Sequence, residues 1–334
     1  MFARIVKNQP AGVEKENNWK RIAIGTRLLY NREKDRERGM GMESPITAIG
    51  FSEIDKKYTI EQIVGEILDK PTNQRASRRR NKDIVAEYVK EFGKDMCIMV
   101  RIVMHSEDKE TKIEVEQCEP YLRSSYTIDV EEISVEAIDD EYNYYAICEE
   151  KETGIQFIFW VQNVIEYVEA EAHKKTFDKV QIAALAMEGT IILPIERDEE
   201  DEKEEKLEKE KIKGMLQRAR EGDEEARAKL EEEEKEMDDQ LKERMYQEDF
   251  LSIMSGYFVP TTLVDANYAV LGEITHMTTR KNEKTGEEVY LFTLDVNDMP
   301  LEVMINKKLL VGCPSVGMRF MGTCWLQGTI VTNN

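Results

Sequence analysis

One stretch decides how this chain is organised, and it runs from Glu196 to Asp239: ERDEEDEKEEKLEKEKIKGMLQRAREGDEEARAKLEEEEKEMDD. Its 44 positions hold 21 acidic and 11 basic residues, so the stretch contributes −10 (11 − 21) to the formal net charge of −21. It has almost no β-branched or aromatic side chains, so it lacks the residues from which a hydrophobic core is built. We predict a solvated helical insert between two strand-rich parts of the chain.

The insert carries its own helix boundaries. Gly222 is suited to end one helix and Asp223 to cap the next. Glu224 and Glu225 then occupy a first turn, where the helix dipole favours negative charge. We predict a helical hairpin or bent helix over residues 202–248, within an acidic arm of residues 196–249. Such helices gain little stability from packing. The sequence therefore leaves two alternatives for the arm: it docks on a partner, or it swings between the domains.

Length and composition bound the rest of the molecule. A chain of 334 residues with 41% hydrophobic content allows two or three domains and a normal core. The net charge of −21 disfavours nucleic acid and anionic membranes as partners, although a local basic patch is not excluded. The sequence shows neither an apolar run long enough to span a membrane nor a signal peptide. We therefore predict a cytoplasmic protein without a membrane partner.

The cysteines support the same compartment. The chain has five, Cys97, Cys118, Cys148, Cys313 and Cys324, without a short-spaced pair. This count and spacing argue against a disulfide framework and against a zinc site. Buried free thiols in a reducing cytoplasm are the prediction.

Residues 1–41 form a basic leader with little periodic hydrophobicity. The segment Glu37-Arg38-Gly39 precedes Met40 and Met42, and its codons can resemble a bacterial ribosome-binding site. We expect translation to begin at Met40 or Met42, so that the leader is either not translated or disordered. The alternative is a basic arm that binds an acidic partner.

Residues 42–195 are predicted to form an α+β domain with a mixed, largely antiparallel sheet. Thr59 and Gln62 fit a capping box at the start of a helix over 60–68. Helical spacing of apolar residues predicts a second helix over 84–92, ending at the following glycine. The remaining elements are a helix over 161–170 and strands over 96–105, 112–118, 144–149, 154–160, 180–187 and 190–195, with the last two joined as a hairpin at Glu188 and Gly189.

Residues 250–334 are almost entirely strand by pattern. Strands are predicted over 268–278, 288–296, 301–305 and 318–331, with a short helix over 307–311. This order favours a small five-stranded barrel of the OB or SH3 type.

Several segments of the chain resemble one bacterial family. They include Ala48-Ile49-Gly50-Phe51-Ser52, Ile158-Phe159-Trp160-Val161-Gln162-Asn163, Thr285-Gly286-Glu287-Glu288 and Trp325-Leu326-Gln327-Gly328. Over roughly residues 42–331 the chain is similar to a clostridial-type family catalogued as domain of unknown function 3881. These motifs are structural, so the resemblance implies no catalytic residue, cofactor or partner.

The residues themselves predict no catalytic, cofactor or metal site. Three histidines are present, and none stands at metal-ligand spacing. His105 ends a predicted strand beside acidic residues, and a catalytic role there needs a pocket, a nucleophile and an orienting carboxylate.

Two groups of residues remain as possible binding surfaces. The first is a basic run that could contact an anion or nucleic acid: Arg75, Arg78, Arg79, Arg80 and Lys82. We read this run as a solvated loop between helices, with phosphate binding as the alternative. The second is a possible ligand surface of the barrel: Tyr290, Lys307, Lys308 and Trp325.

Together these features favour a non-enzymatic module that binds or scaffolds an unidentified protein, without a cofactor. An OB-type nucleic-acid-binding protein is the first alternative. An enzyme with an unrecognised site is the second.

Overall fold

The computed structural model describes residues 44–54, 56–78, 83–106, 111–137, 144–195, 199–230, 232–233, 235, 250–261 and 266–332. The predicted leader 1–41 lies outside these residues. The described elements are mostly strands with a few helices, which confirms the α+β class.

A four-stranded antiparallel sheet forms the first part of the fold. Its strands, in the spatial order β1-β2-β3-β4, are β1 (Asn73–Arg78), β2 (Ile84–Gly93), β3 (Met96–Ser106) and β4 (Thr111–Leu122). A short 3₁₀ helix (Pro45–Thr47) and helix α1 (Ile60–Asp69) precede it. The Thr59–Gln62 capping box is confirmed, because each side chain accepts a hydrogen bond from the other residue's backbone N–H.

The remaining strands form one ten-stranded sheet. They are β5 (Ile128–Ala137), β6 (Tyr144–Glu150), β7 (Gln156–Val161), β8 (Lys179–Ile192), β9 (Tyr257–Pro260), β10 (Asn267–Lys281), β11 (Glu288–Val296), β12 (Met299–Asn306), β13 (Leu310–Val311) and β14 (Arg319–Val331). Helix α2 (Val164–Ala172) connects β7 to β8, and a 3₁₀ turn (Lys307–Leu309) precedes β13.

Strand pairing in this sheet runs in two rings that share β8 and β14. One ring passes from β8 through β12, β11, β10 and β14 back to β8. The other passes from β8 through β5, β6, β7 and β14 back to β8. The small closed barrel predicted for residues 250–334 is not confirmed, because the pairing around those strands includes β8, which lies before the arm. The boundaries 42–195, 196–249 and 250–334 stay a prediction.

Paired glycines let the two shared strands meet. Gly189 of β8 lies opposite Gly322 of β14, and the ring of Phe320 packs over both. A Cβ atom on Gly189 would lie 2.4 Å from the Phe320 ring. The predicted hairpin at Glu188 and Gly189 is wrong for this reason: the glycine accommodates a neighbouring aromatic ring within one continuous strand.

Two further predictions are wrong. Residues 84–92 form β2 and not a helix, because their β-branched and aromatic side chains fit a strand that pairs on both sides. Gly93 does not cap a helix; it lies at a β-bulge where a Cβ atom would be 2.7 Å from the carbonyl oxygen of Lys281. Arg75 and Arg78 lie in the edge strand β1 and not in a loop between helices.

The acidic arm begins as predicted. Helix α3 (Glu199–Arg220) is followed by Gly222 with a φ of 94°. Asp223 Oδ1 then accepts hydrogen bonds from the backbone N–H groups of Glu225 and Ala226, at 3.0 and 3.1 Å, and caps α4, which is described over 224–230. Residues 231, 234 and 236–249 of the predicted arm lie outside the described residues. Helix α5 (Phe250–Ile253) follows the arm.

Among the described residues, no helix combines the length and the apolar character needed to cross a membrane. The cysteine prediction is confirmed for Cys97, Cys118, Cys148 and Cys324, which are buried free thiols, whereas Cys313 is exposed.

Candidate functional site

The predicted basic run does not form a cluster of free cations. Arg75 makes an ion pair of 3.1 Å with Glu166 of α2. Arg78 is three residues further along β1, so the two side chains leave opposite faces of the strand. Arg79, Arg80 and Lys82 lie outside the described residues.

The predicted ligand surface of the barrel is only partly assembled. The ammonium group of Lys307 lies 4.6 Å from the centre of the Tyr290 ring, and Lys308 is the next residue. Trp325 does not join them, because it is 9% exposed and packs against Trp160 with ring centres 5.4 Å apart.

Lys308 belongs to a denser polar cluster that sequence reasoning missed. The carboxylate of Glu287 accepts hydrogen bonds from the Ser52 hydroxyl at 2.6 Å, from Asn306 Nδ2 at 2.6 Å and from Lys308 Nζ at 2.8 Å. Lys308 Nζ also donates to Ser52 Oγ at 2.9 Å. We call these four residues the Glu287 cluster.

Two turns bring the Glu287 cluster together. Asn282, at the end of β10, donates from its buried side chain to the carbonyl of Ile49 at 2.8 Å, and Thr285 Oγ1 donates to the carbonyl of Gly50 at 2.6 Å. These bonds dock the segment 48–52 on the β10–β11 turn. In the sequence, the two segments had in common only that both resemble segments of the same family. Their contact joins residues that are 235 positions apart in the chain.

A surface cavity of about 390 Å³ opens beside the cluster. Its lining includes three lysines and three glutamates, and each lysine is paired: Lys57 with Glu53, Lys307 with Glu288 and Lys308 with Glu287. The lining is therefore close to neutral and offers no excess charge to an ionic ligand.

The electrostatics of the cluster favour a structural role. Burial by itself would raise the pKa of Glu287, but the hydrogen bonds from Lys308, Ser52 and Asn306 outweigh burial and lower it. Ser52 Oγ donates to the Glu287 carboxylate and accepts from Lys308 Nζ, so the hydroxyl is held by two residues of the cluster. The arrangement ties the segment 48–52 to the sheet.

His105 lies between two carboxylates. Its Nδ1 atom is 3.0 Å from Asp83, and its Nε2 atom is 3.5 Å from Glu114. The 390 Å³ cavity does not include this histidine. Within the described part of the chain, no group of three or more His, Cys, Asp or Glu residues has the arrangement of a metal site.

The most exposed apolar side chains outside the arm lie at one end of the shared strands. Leu193 follows β8 and is 71% exposed, Val311 of β13 is 66% exposed, and Val316, in the turn before β14, is 61% exposed. We call these three residues the apolar rim. Val311 lies opposite Thr190, three residues before Leu193, so the two rim residues are about 10 Å apart along the strand direction, and the alternation of side chains along β8 points them to different faces of the sheet end.

Arg319 binds several backbone carbonyls at this end of the strands. Its buried guanidinium donates to the carbonyl of Leu193 at 2.7 and 2.8 Å and to the carbonyls of Leu251 and Met254 at 2.8 Å each. It therefore binds the chain just before the acidic arm and just after it. Leu193 is itself bound by Arg319, and Val316 precedes Arg319 by three residues in the chain.

The comparison with protein families gives one match. The family described as "Domain of unknown function, E. rectale Gene description (DUF3881)" matches residues 46–328, which confirms the resemblance found in the sequence. No curated protein and no solved structure matches the chain.

Proposed function

Because the chain belongs to the DUF3881 family, whose description assigns no activity, we propose a function from its own geometry: a non-enzymatic module that binds or scaffolds another protein. The observation that carries this proposal is the apolar rim, whose three side chains are each more than 60% exposed. Isolated exposed apolar residues are common, but grouped ones mark interaction surfaces. Val311 lies in β13 and the carbonyl of Leu193 is held by Arg319, which favours a preformed binding surface.

The polar clusters supply little support for the enzyme alternative. In the Glu287 cluster, all the polar groups are engaged with each other, and the serine is hydrogen-bonded to an ammonium group. A separate, buried polar cluster joins Arg101 to Glu87 at 2.6 Å and to Gln117 across neighbouring strands. Arg101 is fully buried, so no substrate reaches it.

The nucleic-acid alternative is also less well supported. Phosphate binding needs cations that are free to replace counterions. Arg75, Lys307 and Lys308 are each paired with a carboxylate of the same chain.

A triple variant tests the proposal: Leu193→Ser, Val311→Thr and Val316→Thr. Substitutions at such exposed positions change the free energy of unfolding by about 0.5 kcal/mol or less each, so the variant should stay folded. The matched control is Leu207→Ser with Val259→Thr, which removes side chains that are 67% and 53% exposed on α3 and β9. Both proteins and the wild type are tagged, expressed in a native-like host and purified at low salt after nuclease treatment.

We expect a stoichiometric protein partner to co-purify with the wild type and with the control, but not with the triple variant. Retention of that partner by the triple variant would contradict the proposal. Co-purifying nucleic acid that is released by moderate salt would favour the OB-type alternative instead.

A further inference from the structure

We infer that the cavity of about 390 Å³ beside the Glu287 cluster binds a small zwitterion, a molecule that carries one carboxylate and one ammonium group, as amino acids do. This site is separate from the apolar rim, so the inference goes beyond the proposed function and does not depend on it. Three features of the cavity lead to it: a neutral but charge-rich lining, hydrogen-bonding groups that the lining leaves unused, and walls formed by distant segments of the chain.

The lining of the cavity selects a polar ligand without net charge. Six of the nine described residues that line it are charged, three lysines and three glutamates, and none of the nine is hydrophobic. An apolar ligand would cost these charges their hydration without supplying them with partners. The lining has no excess of either sign, so it does not attract a simple anion or a simple cation. A volume of about 390 Å³ suits a small molecule, since ligand pockets enclose about 300–1,000 Å³.

Two adjacent lysines of the lining have N–H donors to spare. An ammonium group has three donors. Lys308 Nζ uses two of them within the Glu287 cluster, which leaves one. Lys307 Nζ donates to Glu288 at 2.9 Å and faces the ring of Tyr290, which leaves at least one. Neighbouring ammonium groups with unused donors are suited to hold the carboxylate of a ligand through charge-assisted hydrogen bonds.

Two glutamates of the lining have acceptor sites to spare. The carboxylate of Glu53 lies 4.0 Å from the ammonium group of Lys57, which is beyond hydrogen-bond distance, and its side chain is 49% exposed. Glu288 accepts one hydrogen bond from Lys307, and a carboxylate has about four acceptor sites. That hydrogen bond lowers the pKa of Glu288 and raises the pKa of Lys307, so both stay charged at neutral pH. These carboxylates are suited to accept hydrogen bonds from the ammonium group of a ligand.

Distant segments of the chain form the walls of the cavity. Glu53 follows the docked segment 48–52, residues 285–287 lie in the β10–β11 turn, and Lys308 lies in the 3₁₀ turn after β12. A zwitterion that contacts Glu53 and Lys308 therefore bridges the same junction as the Glu287 cluster. The cavity requires the folded chain, so a bound ligand raises the melting temperature of the protein.

Three probes of equal length test the inference on the full chain: γ-aminobutyrate, butyrate and butylamine. A series from glycine through β-alanine and γ-aminobutyrate to ε-aminocaproate varies the distance between the two charges. Binding is measured by titration with saturation-transfer difference NMR, and the melting temperature is the second readout. The variants are Glu53→Gln and Lys307→Gln. Their matched controls are Glu169→Gln and Lys175→Gln, which change the net charge equally at exposed positions outside the cavity.

We expect at least one zwitterion of the series to bind the wild type with a dissociation constant of about 1 mM or lower and to raise the melting temperature. Butyrate and butylamine should bind at least about tenfold more weakly than that zwitterion. Glu53→Gln and Lys307→Gln should each weaken its binding about tenfold, whereas both controls should bind it as the wild type does. Glu53→Gln leaves the lining with excess positive charge and should bind butyrate better than the wild type, and Lys307→Gln should favour butylamine for the opposite reason.

Failure of every zwitterion in the series to bind overturns the inference. Binding of butyrate or butylamine as tight as that of the zwitterions also overturns it, because the cavity is then a site for a single charge. Undiminished zwitterion binding to Glu53→Gln and Lys307→Gln overturns it as well, since the ligand then lies elsewhere on the chain. The rim residues are unchanged in all these proteins, so none of these results bears on the proposed function.

Discussion

Replacing Arg319 with methionine should lower the free energy of unfolding by about 3 kcal/mol. The guanidinium donates four hydrogen bonds of 2.7–2.8 Å to three backbone carbonyls. A hydrogen bond from a charged donor contributes about 1.5–3 kcal/mol, so the four sum to about 6–12 kcal/mol if none is replaced. Leu193 is exposed and Leu251 is only partly buried, so water reaches these carbonyls and offsets much of that sum.

The assay for this prediction is urea unfolding followed by tryptophan fluorescence, with hydrogen exchange as a local readout. Arg218→Met is the matched control, because Arg218 is also held by an acceptor of the same chain, the carboxylate of Asp223, but its side chain is 56% exposed. We expect a much smaller shift of the unfolding midpoint for that surface pair than for Arg319→Met. Arg319→Met should also speed exchange in the segments around Leu193 and Met254. A midpoint shift no larger than that of the control, or unchanged exchange at the base of the arm, would refute the reasoning.

Three further predictions concern packing, pH and thiol reactivity. Gly322→Ala places a Cβ atom 2.4 Å from a backbone oxygen, so it should lower the free energy of unfolding in urea by about 2–3 kcal/mol. Gly214→Ala in α3 meets nothing within 4 Å and should raise the free energy of unfolding by about 0.5 kcal/mol. Similar effects of the two substitutions would contradict this packing. The folded-state pKa of Glu287 is lowered, so its contribution to stability is present above the unfolded pKa of about 4.3 and is lost as pH falls through the folded pKa. Glu287→Gln should therefore reduce the loss of unfolding free energy between neutral and acidic pH. An unchanged pH dependence would count against this role of Glu287. In native protein, iodoacetamide should modify Cys313 alone, because burial raises the pKa of Cys97 and Cys148 to about 12. Mass spectrometry identifies the modified thiols, and rapid modification of Cys97 or Cys148 would disprove this prediction.

Local signals in the sequence predicted local structure well. The capping box at Thr59 and the Gly222–Asp223 break each depend on atoms within a few residues, and both are present in the structure. The periodicity of residues 84–92 failed because apolar residues at helical spacing also fit a strand that is partly buried on both faces. The choice between the two depends on β1 and β3, which pair with this strand and cannot be read from it.

The candidate sites could not be predicted because they depend on long-range register. Glu287 and Ser52 are 235 residues apart in sequence. The rim forms only because β13 pairs with the end of β8 in parallel while β14 returns along the same strand. A one-residue change of either register would turn Val311 or Arg319 to the opposite face. Composition did predict that residues 199–220 and 224–230 are helical, since the charged residues of this stretch are recognised without any tertiary contact.

The structure also bears on whether the arm swings, a question that the sequence left open. At its Gly222 end, Arg220 binds the carboxylate of Glu149 at 2.5 Å and the carbonyl of Lys151, and Leu216 lies against Gly154 in the same β6–β7 turn. At its base, Arg319 holds the flanking carbonyls. Helix α3 itself is about 33 Å long. The C-terminal end of helix α3 is therefore attached to β6 and to the β6–β7 turn, which opposes a swing of this helix away from the sheet.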